Sequence, residues 1–155
     1  MTPPHELQDY YSQPGDTKGM RRWLLEEVQA GQTDAIFLSV DQLLYGGLLT
    51  AREKQATSEE VEELLAFLHE LHAANPAVPI YAFSILPRLT PQDTIDGYDE
   101  RRDIMAYSRL AGRQAAGLPV DETKLAALKA KIPPASLERY LAHFRENATL
   151  NERLI

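Results

Sequence analysis

The stretch Ser39-Val-Asp-Gln-Leu-Leu-Tyr-Gly-Gly-Leu-Leu-Thr-Ala-Arg52 leaves an apolar run and reaches a charge by way of an aspartate, a tyrosine and two glycines. Asp41 carries the carboxyl that acid–base work needs, as acid, base or substrate hydrogen-bond acceptor, and it is the candidate catalytic residue. Tyr45 adds a ring with a hydroxyl tip, and Gly46-Gly47 permits positive φ or close approach of a ligand to bare backbone. Arg52, and Arg88 further along, have planar forks that can orient a polar or anionic substrate. Ser39, Tyr45, Gly46, Gly47, Arg52 and Arg88 therefore form the candidate substrate-binding set. Plainer readings stay open for each. The glycine pair can simply make a turn, Asp41 can cap a short helix starting at Gln42, and Arg52 can be solvated. Arg88 can form a structural ion pair with Asp41.

Other polar clusters carry less. His69 and His72 lie three apart on a predicted helix, but His72 borders a leucine stripe and no third ligand is near, so no metal site is predicted. His5 and His143 are singletons. Arg101, Arg102 and Asp103, with Arg109 and Arg113, read as a solvated helix face. With no cysteine there is no disulfide, thiolate nucleophile or Cys-based metal site. No nucleophile elbow, phosphate-binding loop, dinucleotide fingerprint or zincin motif is present, so the cofactor is unknown.

These residues need elements to position them. Residues 1 to 16, with their prolines, read as an irregular lead-in. Asp16 or Thr17 then caps a helix carrying Met20, Trp23, Leu24 and Val28 and ending near Gly31. Ala35 to Val40 is an unbroken apolar run, which predicts a strand buried on both faces. Thr57 with Glu60 makes a capping-box pattern before Val61, Leu64, Leu65, Leu68 and Leu71, and Asn75-Pro76 stops that helix. Pro79 to Leu86 is a second strand of buried type, fenced by Pro79 and Pro87. Strand, helix and strand make a βαβ unit with parallel strands and a right-handed crossover, which places Asp41 and Arg88 at the same rim, where α/β proteins hold ligands. Beyond Pro91 the pattern predicts helices near 98 to 115, near 121 to 131 and from Pro134.

The predicted fold class is thus α/β, a parallel βαβ unit followed by a helical segment. Two such strands ask for neighbours, so the chain reads as part of a larger α/β domain, barrel-like or doubly wound. In this reading residues 1–155 are a single partial domain, with 1–97 its βαβ-containing part and 98–155 its helical part. The balance of 23 acidic to 16 basic residues, net −7, disfavours nucleic acid as a partner. No run approaches the roughly 20 apolar residues of a membrane span, and the start lacks a secretion-signal pattern, so the expected location is cytoplasmic, away from membranes.

Taken together, Asp34-Ala-Ile-Phe-Leu-Ser-Val-Asp-Gln-Leu-Leu-Tyr-Gly-Gly-Leu48 and Ala51-Arg52 resemble an uncharacterised bacterial family catalogued as domain of unknown function 4127. Pro14-Gly-Asp16 with Trp23-Leu24, Ile80-Tyr-Ala-Phe83 with Arg88, and Ile132-Pro-Pro134 leading to Asn147 and Asn151 are similar to it as well. The resemblance covers nearly the whole chain. It implies an internal piece from the N-terminal half of a longer polypeptide. A preceding strand with a Leu-Asp-x-Arg-Pro-like segment and a later Gln-Asp-Asp-like strand end would belong to the remainder.

The functional expectation is a hydrolase-type enzyme fragment acting on a polar small molecule, carbohydrate-like by analogy, through strand-end acidic residues. Its rivals are a non-catalytic small-molecule binding module and a helical interaction surface. An enzyme site needs a second titratable group near Asp41, whereas a binding module needs only a pocket.

Overall fold

The computed structural model describes residues 1–89 and 99–155. The predicted turn to helix beyond Pro91, the helix start at 98 and the boundary between 97 and 98 lie outside the described residues. The protein is mixed α/β with a two-stranded parallel sheet. It divides into two compact units, one of Met1–Ile85 with Ala148–Ile155 and one of Leu86–Asn147.

In the first unit, helix α1 is Thr17–Gln29, started by the Asp16 side chain, which accepts from the Gly19 amide at 2.9 Å. Its buried side, Met20 and Val28, joins the core. Strand β1 is Ile36–Ser39, shorter than the apolar run, because the Ser39 hydroxyl accepts from the Gln42 amide at 3.3 Å and so caps helix α2, Val40–Tyr45. The cap is thus Ser39, and Asp41 sits in the helix's first turn. Helix α3, Thr50–Glu53, leads to α4, Ser58–Ala74.

Both halves of the expected capping box form on α4. Glu60 N–H donates to Thr57 Oγ1 at 3.1 Å, and Thr57 N–H to Glu60 Oε2 at 2.8 Å. Lys54 pairs with the same glutamate and helps hold its carboxyl below the ordinary range. Thr57→Ala should therefore lower stability by about 0.5 to 2 kcal/mol, read as a shift in the urea midpoint. An unchanged midpoint would mean that the tertiary packing of Val61, Leu64, Phe67 and Leu71 holds the helix start without its cap.

Strand β2, Ile80–Phe83, pairs parallel to β1, with Ile36 opposite Ile80 and Ser39 opposite Phe83. Burial on both faces, however, is not what the sheet shows. Ile36 and Leu38 pack with core residues of α1 and α4, while Phe37 is 75% exposed and Tyr81 and Phe83 are 54% and 55% exposed. The Phe37 and Tyr81 rings stack on that outer face with centroids 4.9 Å apart. An alternating strand with one covered face and aromatic residues on the other spells the same apolar run as a strand covered twice.

The second unit holds α5, Arg101–Ala115, α6, Glu122–Lys131, and the larger part of α7, Pro134–Leu154. Ile104, Ile132, Leu137 and Tyr140 form its core. The Tyr140 hydroxyl donates to the Leu89 carbonyl at 2.8 Å, which satisfies its polar end inside that core. Lys131 pairs with Asp103 at 2.8 Å, and Arg102, Arg109 and Arg113 are exposed, as a solvated face requires. The last turns of α7 belong to the first unit, where Leu150 is buried and Arg153 pairs with Glu62 at 2.6 Å. Among the described residues no helix is long and apolar enough to cross a membrane.

Candidate functional site

Because Ser39 ends β1 and starts α2 within one residue, Asp41 turns inward just past the strand end. It is only 3% exposed, and its Oδ2 accepts from the Ile85 amide at 2.8 Å. That bond ties the chain after β2 to the first turn of α2. Burial pushes the Asp41 carboxyl above its ordinary pKa, opposed by the amides of Ile85 and of Asp41 itself. Desolvation and backbone donors, rather than a charged partner, set its state.

The glycine pair has an occupant from its own chain. Gly46 adopts φ 81° and ends α2 in the left-handed region that favours glycine. The Gly15 amide donates to the Gly46 carbonyl at 2.8 Å, and a Cβ on Gly46 would stand 2.8 Å from the Gly15 oxygen. A Cβ on Gly47 would stand 2.6 Å from Asp9 Oδ2. The close approach these glycines permit is taken by the lead-in segment. Tyr45 is buried in the core beside them, and Arg52 is half-buried on α3. Gln42 Nε2 donates to the Gly46 carbonyl at 3.0 Å, fastening the end of α2.

Arg21 is a structural participant that the sequence pattern hides. Its Nε and Nη2 both donate to the Leu43 carbonyl, at 3.1 and 2.8 Å, so a fork from α1 holds the last turn of α2. Burial lowers the Arg21 pKa, with Glu63 and Glu60 opposing. Its one sequence signal is a basic residue next to Met20 at the margin of an apolar stripe. Arg88 is exposed and belongs to the second unit, whereas Asp41 and the other candidates belong to the first.

A cavity of about 530 Å³ lies beside β1. One wall is α1, through Met20, Trp23, Leu24 and Glu27; the consecutive residues Asp34 to Ser39 form another, and Met1 and Pro3 of the lead-in also line it, as do Gln42 and Leu43. Of the candidate residues, Ser39 alone lines it. Its volume is in the range of small-molecule sites, and its lining mixes apolar bodies with a few polar groups, as such sites do. Among the described residues no group of three His, Cys, Asp or Glu side chains could hold a metal ion.

No curated protein and no solved structure matches the chain. The segment from Asp41 to Gly47 puts Leu43, Leu44 and Tyr45 into the core of the first unit, and the family described as protein of unknown function (DUF4127) matches residues 1–155 from end to end; the chain belongs to that family.

Proposed function

We propose that the chain is a binding module whose ligand sits in the cavity beside β1, with Asp41, Tyr45, Gly46 and Gly47 as the frame that shapes the neighbouring strand end. The cavity itself carries this reading. It pairs about 530 Å³ of space with an apolar wall and the polar Ser39, Gln42 and Thr33, whereas the Asp41 carboxyl is buried and already bonded. The second reading, hydrolysis of a polar substrate with Asp41 as acid or base, draws support from the raised pKa of a carboxyl at a strand end.

Trp23 is the sole tryptophan and lines the cavity, so its emission reports occupancy. A panel of neutral fragment-sized amides and alcohols should include binders that shift Trp23 emission and are lost in Ala35→Leu, which fills the cavity from the residue before β1. Fragments that shift Trp23 yet bind Ala35→Leu equally well would place that binding outside the cavity and end this reading. For the second reading, nitrophenyl glycosides and esters serve as substrates. Catalysis by Asp41 requires turnover that falls on the order of 100- to 10,000-fold in Asp41→Asn per folded molecule; turnover that tracks only the folded fraction leaves Asp41 as frame.

A further inference from the structure

The cavity has the form of a trough along a strand edge. It is lined by six consecutive residues, Asp34 to Ser39, whose side chains alternate between the two faces of the sheet, and by no residue of β2. The edge of β1 opposite β2 borders this space. The backbone there is polar and regularly spaced. Ile36 N–H donates to the Pro79 carbonyl at 2.9 Å, so Ile36 faces β2. By the two-residue period of a strand, the peptide groups of Ala35 and Phe37 and the amide of Ser39 face the trough, while the Ser39 carbonyl begins the ladder of α2. Among the described residues the sheet contains only β1 and β2, so no third strand takes up those groups.

We infer that the trough receives an extended polypeptide segment, which adds a strand to the free edge of β1 and sets a basic side chain near Asp34 and Glu27. This rests on the binding reading above and names its ligand class. Three features select a peptide. Donors and acceptors on the β1 edge recur about every 6.6 Å, a repeat that another extended chain reproduces and a compact small molecule does not. Met20, Trp23 and Leu24 provide an apolar wall for the side chains that the added strand would turn inward. The charged side chains lining the trough, Glu27 and Asp34, are both acidic, which favours a basic residue in the segment. An open edge bordered by an apolar wall is also the arrangement that strand addition exploits elsewhere.

The test uses the full chain and a capped probe peptide, acetyl-Lys-Val-Thr-Val-Thr-Val-amide, titrated by Trp23 emission and by calorimetry. Saturable binding is expected. Two further peptides carry N-methyl groups on alternate residues, one set for each edge; one of them should bind at least tenfold more weakly than the parent, because its methylated edge meets β1. Phe37→Pro removes the central edge donor at a position where an edge strand tolerates proline, and should weaken the parent peptide by a similar factor. Asp34→Lys should weaken it several-fold, and a peptide with Glu in place of Lys should recover the loss. If Phe37→Pro does not fold, the N-methyl pair still decides. Fragments that shift Trp23 while the peptide does not would overturn the strand inference and leave the binding reading standing. Silence from both would overturn both. Equal binding of parent and both methylated peptides would also overturn it, as would a dimer whose Trp23 emission ignores the peptide, since that would assign the edge to a second copy.

Discussion

Gly46→Ala should lower unfolding stability by about 2 to 5 kcal/mol, through left-handed strain of about 1 to 2 and overpacking of about 1 to 3. Both causes are local and separable. The φ of 81° strains any residue with a Cβ, and that Cβ would also stand 2.8 Å from the Gly15 oxygen and 2.9 Å from Pro14 Cβ. Neither can yield cheaply, since the Gly15 amide is bonded to the Gly46 carbonyl and the segment folds over the end of α2. Gly31 supplies the comparison: its φ is 73°, and nothing lies within 4 Å of where its Cβ would be. Gly31→Ala should therefore show the strain alone, about 1 to 2 kcal/mol. Equal losses at both positions, measured by chemical denaturation, would mean that the lead-in does not press on the glycine pair.

Asp41→Ala should cost about 1 to 3 kcal/mol, because it leaves the Ile85 amide without its acceptor. The pH dependence gives a sharper result. Burial raises the native pKa of Asp41 above its ordinary value near 3.8, so between the two values the native state holds more protons than the unfolded state. The slope of unfolding free energy with pH from this group is then negative. Its contribution is most favourable below about the unfolded pKa, declines as pH rises through the folded pKa, and is flat above it. Asp41→Asn lacks this component. The stability of the parent minus that of Asp41→Asn should therefore fall across that window. A difference that grew with pH would overturn burial as the dominant influence and point to a cation beside the carboxyl.

Much of the scaffold was legible from short-range pattern. Asp16 and the Thr57–Glu60 pair announce their helix starts, because a cap is a bond between residues two or three apart. The leucine spacing of α4 and the fences at Pro79 and Pro87 mark the elements that make two parallel strands, since a helix and two short strands in that order leave few other pairings. Ser39 as a polar residue at the strand end was legible too, although its role as the cap of α2 was read onto Asp41.

Tertiary structure decided the rest, because it depended on which distant backbone arrives where. Phe37 and Leu38 are equally apolar neighbours, yet Leu38 is buried and Phe37 exposed, according to which face α1 and α4 cover. Asp41 is chemically the same residue whether it meets a substrate or the Ile85 amide, 44 residues away. Gly46 and Gly47 state only that something comes close; that the visitor is Gly15 and Asp9 follows from the path of the lead-in, more than 30 residues earlier in the chain. The trough beside β1 is likewise invisible in the order of residues. An edge exists only once a sheet has formed on one side and α1 has left space on the other, and backbone groups, identical at every position, carry no sequence signal of lying at a sheet edge.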